Sequence, residues 1–145
     1  ALACDLRILD AEALIGLTET SLAIIPGAGG CIRLPRLVGA AKAKELILLA
    51  RRLTAAEAES IGLVHQLAPA GQTRATAEAM LAALQNNGPL ALRAAKDAID
   101  GGLDLAIEAA LEHEAACYQR IIPTEDRLEA LAAFAEKRAP RFAGR

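Results

Sequence analysis

The 145-residue chain has no tryptophan, one tyrosine (Tyr118) and two phenylalanines (Phe134 and Phe142). Its 54% hydrophobic content is therefore largely Ala, Leu and Ile, and alanine in such excess favours helix because it gives up no side-chain freedom there. Scarce aromatics also exclude a basic face interleaved with stacking rings, the usual surface for single-stranded nucleic acid, and Arg33, Arg36, Arg51 and Arg52 are too scattered to form one. Charge of one sign is lacking too: 16 basic and 18 acidic residues leave a net charge of −2. Neither nucleic acid nor a membrane surface is expected as a partner. Cysteine is sparse, with Cys4, Cys31 and Cys117 far apart and only His65 and His113 to join them. That pattern argues against a disulfide framework or a zinc site and for a reducing compartment. No apolar run reaches the roughly 18 residues that span a bilayer, because Glu, Lys or Arg interrupts each candidate. There is no internal repeat and no low-complexity linker.

What is present fits one ordinary domain with a buried core. Residues 5–9 (DLRIL) and 13–17 (ALIGL) are short apolar runs flanking Asp10-Ala11-Glu12, which predicts two strands joined by a tight polar turn. Ala1 to Cys4 reads as the end of an apolar helix. CIRLPRLVG is expected to break at Pro35, and Ala40 to Arg52 carries Ala43, Leu46, Ile47 and Ala50 at helical spacing. Thr54 with Glu57 forms a capping box, Gly62 is a stop, and residues 63–67 look strand-like. The remainder is helical by pattern: Thr73 to Gln85, Pro89 to Gly101-Gly102, Leu103 to Ile121, and Glu125 to Lys137 capped by Thr124, with Leu128, Leu131, Ala132 and Phe134 as the apolar face of the last. Those last helices are candidates for packing on a partner subunit.

The stretch IGLTETSLAIIPGAGGCIRL, Ile15 to Leu34, concentrates the chemistry. It holds one carboxylate, Glu19, among apolar and small residues, and seven residues later reaches the bend Pro26-Gly27-Ala28-Gly29-Gly30. Apolar neighbours disfavour a charged carboxylate, while free N–H groups at a helix start can hold a water or an anionic group. A carboxylate facing such a bend is a candidate for proton transfer. His65 in a strand-like run and His113 between Glu112 and Glu114 suit core or surface roles, and Cys31 suits a small buried residue.

Taken in order, ALACD, IGLTETSLAIIPGAGGCIRLPRLVG, AKELILLARRLTAAEAESIGLVHQL and IPTEDRLEALAAFAEKR resemble the second half of the enoyl-CoA hydratase/isomerase (crotonase) family over essentially the whole chain. The most specific pieces are the IPGAGG bend after the TE pair, RLT-x-x-E-A-x-x-x-GLV and the terminal F-x-EKR; IPTEDRLEAL with EKRAPRF looks most like the methylglutaconyl-CoA hydratase (AU-binding homologue) branch. The resemblance implies an α/β fold, a crotonase-like β/α spiral whose C-terminal part would occupy residues 1–72, followed by a helical trimerisation region over 73–145. It implies an acyl-CoA substrate, a homotrimer or dimer of trimers, and no metal or redox cofactor, the coenzyme A thioester being the substrate itself. The compartment implied is the cytoplasm of a bacterium or the mitochondrial matrix of a eukaryote.

For individual residues the resemblance implies that Glu19 is the second of two catalytic carboxylates, the one that protonates the α carbon. Gly27 would offer a backbone N–H to the reacting water, and Tyr118 and Lys137 would contact the CoA portion, from the neighbouring subunit in a trimer. The first carboxylate, the first oxyanion-hole segment and the adenine-binding loop should lie upstream of Ala1, the carboxylate by two positions. The chain is therefore expected to be a fragment or one part of a split protein, with the N-terminal half a possible separate partner chain. The implied activity is hydration of a 2-enoyl-CoA to a 3-hydroxyacyl-CoA in fatty-acid or branched-chain amino-acid breakdown. A double-bond isomerase, or a non-catalytic interaction fragment, is the alternative.

Overall fold

The computed structural model describes residues 1–145. Its four strands are each three residues long: β1 Ile8–Asp10, β2 Leu14–Gly16, β3 Arg52–Thr54 and β4 Gln66–Ala68. The helices are α1 Gly30–Val38, α2 Ala40–Leu48, α3 Ala55–Ser60, α4 Thr73–Gln85, α5 Pro89–Gly102, α6 Ile107–Ile121 and α7 Glu125–Ala135, with a 3-10 turn at Glu19–Leu22. The chain divides into two units, Ala1–Met80 and Leu81–Arg145.

In the first unit, β1 and β2 do not form the hairpin that their spacing predicts. β1 pairs in parallel with β4, Ile8 opposite Gln66, and β2 pairs antiparallel with β3, Ile15 opposite Leu53. The polar turn between β1 and β2 exists, but it is used across the chain. Asp10 accepts the Glu12 N–H at 2.9 Å and the Gly71 N–H at 2.7 Å, and these two donors hold its carboxyl below the usual range. The core is Leu34, Ala43, Leu46, Ile47, Leu53, Ala58, Leu63 and Val64, with Leu9, Ile15 and Leu17 packed on it. The Leu, Ile and Val side chains among these each contribute about 1.5–3 kcal/mol when fully buried.

Four further elements differ from expectation. Ala1 to Cys4 is a turn closed by the Cys4 N–H donating to Ala1 O at 3.0 Å, not a helix end. Residues 63–67 do not form a strand from Leu63; the strand starts at Gln66. Pro35 lies inside α1 without breaking it: buried Gly30 and Leu34 hold the helix against the core, so tertiary burial outweighs the hydrogen bond that proline removes. α2 stops at Leu48 rather than Arg52, because Ala50 turns left-handed (φ 47) and the Ala50 and Arg51 N–H groups close back on Ile47 and Leu46 carbonyls at 3.2 and 2.8 Å. The capping box at Thr54 and Glu57 forms as expected, and Gly62 takes the left-handed conformation (φ 73) that ends α3.

In the second unit, α5 packs along α6. Gly101 makes this approach possible: a Cβ there would lie 2.3 Å from His113 Nε2. α4 spans Thr73–Gln85 as expected, whereas α6 begins at Ile107, four residues later than Leu103, because residues 103–106 form the turn out of α5. α7 is capped by Thr124, whose Oγ1 accepts the Arg127 N–H at 3.3 Å. Its inward side is Asp126 and Ala133, while Leu128, Leu131 and Phe134 are exposed on their unit. The chain after α7 returns along it, held by Asp126, which accepts the Ala143 N–H at 2.6 Å and the Gly144 N–H at 2.9 Å.

Candidate active site

Glu19 opens the 3-10 turn that follows β2. The turn is fixed to α2 by the Thr20 hydroxyl, which donates to Ile47 O at 2.6 Å. A cavity of about 350 Å³ lies beside it, walled by Ala1, Leu2, Ala3, Ile15, Gly16, Leu17, Pro26, Leu34, Leu46, Leu53 and Leu63, with Ala28, Gly29, Gly30, Arg33 and Arg51 completing the lining. Glu19 is the only acid on this wall. Its Oε2 is shut away from solvent with no hydrogen-bond partner. A buried carboxylate oxygen without a donor is costly unless something binds it.

The glycine bend faces the same cavity. Gly29 sits at φ 91 and caps α1, and Gly30 is buried with no room for a side chain: a Cβ there would lie 2.6 Å from Pro26 Cβ and 2.8 Å from Leu17 Cδ1. Glycine at position 30 is thus what lets the bend close onto the strand that delivers Glu19. Gly27 is exposed and lies next to the lining residues rather than among them. The N–H groups of residues 27–30 donate to no backbone carbonyl, as expected of the first turn of a helix.

Two cations line the cavity and are held differently. Arg51 is neutralised by Glu45 and by Glu57, the latter at 2.6 Å, and these carboxylates raise its pKa further. Arg33 lies over Gly29 and donates to Ala28 O at 3.3 Å. Sequence reasoning missed both arginines and the Thr20 anchor: Arg51 and Thr20 are joined to the site by the tertiary fold, whereas Arg33 contacts the bend locally, through Ala28 five residues before it. Tyr118 and Lys137 belong to the second unit. Tyr118 is exposed on α6, and Lys137 is exposed just past α7. His65 accepts the Arg7 N–H on Nδ1 at 3.1 Å, a structural bond between the β1 and β4 segments. Cys31 is half-buried against the core, and all three cysteines are free.

The enoyl-CoA hydratase/isomerase family pattern matches residues 1–145 in full. The chain belongs to the enoyl-CoA hydratase/isomerase family. Within it, the chain is 51% identical over 144 residues to a probable mitochondrial enoyl-CoA hydratase 2 of Arabidopsis thaliana, covering 99% of this chain and 48% of that protein. It is 47% identical over 148 residues to the human mitochondrial methylglutaconyl-CoA hydratase, covering 99% of this chain and 44% of that one. The crystal structure of an enoyl-CoA hydratase from Bacillus anthracis superposes with a TM-score of 0.96 at 48% identity, over 99% of this chain and 56% of that chain. The α/β crotonase fold is therefore that of the hydratase/isomerase family, and the chain spans about half the length of the curated relatives it matches.

Proposed function

We propose that this chain supplies the second half of an enoyl-CoA hydratase site, in which Glu19 protonates the α carbon of a 2-enoyl-CoA while a carboxylate from the upstream half takes a proton from water. The water oxygen bonds to the β carbon as the C=C π bond breaks, giving a 3-hydroxyacyl-CoA. The observation that carries the reading is the solvent-excluded, unpartnered Oε2 of Glu19 on the wall of an apolar cavity. Low-polarity walls strengthen each electrostatic contact made inside them, and a positioned acid or base contributes about 10²–10⁴-fold. Gly27 is assigned the N–H that holds the water; the carbonyl-free amides of the bend support that role.

Tyr118 and Lys137 are assigned to the CoA portion, contributed to the neighbouring subunit of a trimer or dimer of trimers; their exposure supports this. One carboxyl group acting as acid and one acting as base suffice for hydration, so the reading requires neither metal nor redox cofactor. By the same reading the work is acyl-CoA breakdown, in the cytoplasm of a bacterium or the mitochondrial matrix of a eukaryote, and two relatives are named as mitochondrial.

A second reading has its own support, because Glu19 is the only acid on the cavity wall. One carboxylate suffices to move a double bond between the β,γ and α,β positions, as an isomerase does. In the complete protein, this chain joined to the upstream half that its relatives carry, Glu19→Gln should cut crotonyl-CoA hydration at least about a hundredfold with the fold intact. Steady-state absorbance at the enoyl thioester band measures it. A near-normal rate removes Glu19 from the mechanism, and loss of β,γ isomerisation without any hydration in the wild type selects the isomerase.

A further inference from the structure

The turn that ends α7 places a lysine where the backbone favours glycine. Lys137 sits at φ 55, in the left-handed region. The ladder around it is that of a glycine-type helix stop: the Lys137 N–H donates to Phe134 O at 3.2 Å and the Arg138 N–H to Ala133 O at 3.0 Å. A strained residue of this kind persists only where its surroundings over-determine it.

The Arg138 guanidinium holds both carboxylate oxygens of Glu129, Nη1 to Oε1 at 2.6 Å and Nη2 to Oε2 at 3.0 Å, while its Nε donates to Glu136 Oε2 at 2.6 Å. Glu136 and Arg138 flank Lys137 directly, so their side-chain ion pair bridges the left-handed residue from one neighbour to the other. The Arg141 N–H adds a third donor to Glu129 at 2.8 Å, tying the returning tail to the same carboxylate. Within Glu136-Lys137-Arg138, the lysine alone has no carboxylate partner. A planar guanidinium gripped at two carboxylates is a rigid support for the turn, and the exposed lysine that the turn carries has no carboxylate of its own to compete with an anion.

We propose that Glu129, acting through Arg138, is a positioning residue that holds the left-handed turn from which Lys137 reaches the phosphates of coenzyme A. This rests on the reading of Lys137 as a contact to the CoA portion. The test compares crotonyl-CoA with crotonyl-pantetheine, which carries the same thioester without phosphates, in the complete protein. Glu129→Gln is expected to raise KM for crotonyl-CoA about fivefold, leave kcat within about twofold and leave KM for crotonyl-pantetheine unchanged. Lys137→Gly should raise the crotonyl-CoA KM at least as much, and Glu129→Gln added to it should change nothing more. Arg138→Lys, which keeps the charge and loses the two-pronged grip, carries the same test if Glu129→Gln fails to fold. A KM that rises with Lys137→Gly but not with Glu129→Gln or Arg138→Lys overturns the clamp and leaves the lysine reading standing. No change with Lys137→Gly sinks both. Equal effects on the two substrates assign Glu129 to stability alone.

Discussion

Gly30 is the residue on which the bend and the segment leading from β2 to Glu19 depend together. Its missing side chain leaves room for Pro26 Cβ and Leu17 Cδ1, which an added Cβ would meet at 2.6 and 2.8 Å. Gly30→Ala should therefore destabilise the protein by about 1–3 kcal/mol, the usual range for overpacking, and lower activity through displacement of Glu19. Denaturant midpoints with unchanged slope measure the first effect; an unshifted midpoint would mean that the bend yields freely. At this scale the site was partly legible in the sequence. A lone carboxylate among apolar residues and a PGAGG bend seven positions on are local features, and the structure brings them to one cavity. Thr20 was not legible, because its partner Ile47 O is 27 residues away and nothing in the composition of either segment announces the bond.

Element ends were readable only where their signals are local and conventional. The Thr54–Glu57 capping box and the stop at Gly62 were legible, since both depend on residue types at fixed short offsets. The ends of α2 and α7 were not, because Ala50 and Lys137 occupy left-handed positions that glycine usually marks. Strand pairing was lost for a different reason: parallel partners 58 residues apart, Ile8 and Gln66, cannot be inferred from the turn between neighbours. The contact between α7 and its tail depends on pH through Glu129. Arg138 and the Arg141 N–H draw the Glu129 carboxyl from 4.5 down to about 2. Because the folded value is the depressed one, this contact contributes its full stability above the ordinary carboxyl value and loses it as pH falls through about 2. The amide proton of Arg141, followed by NMR on acidification, should thus titrate with a midpoint near 2, and Glu129→Gln should abolish that titration. A midpoint at the ordinary carboxyl value would show the ion pair to be open in solution.

At the scale of the whole molecule, the dominant feature is apolar surface left in contact with solvent on both units. Leu22, Ile25, Leu48 and Leu49 are 69–73% exposed on the first, and Leu103, Ile107 and Phe134 are 66–85% exposed on the second. Single exposed leucines need no explanation, but large aliphatic side chains repeated along helices and turns mark surface that is covered in use. The chain also spans about half the length of its curated relatives, so an upstream half and further subunits are the covers proposed for it. The 145-residue chain expressed alone should then bind a hydrophobic dye and associate in a concentration-dependent way in sedimentation velocity, with both effects strongly reduced once it is joined to the upstream half. A dye-silent monomer would count against that assignment, since roughly 25 cal/mol for each Å² of apolar surface removed from water is the driving force that any cover would exploit.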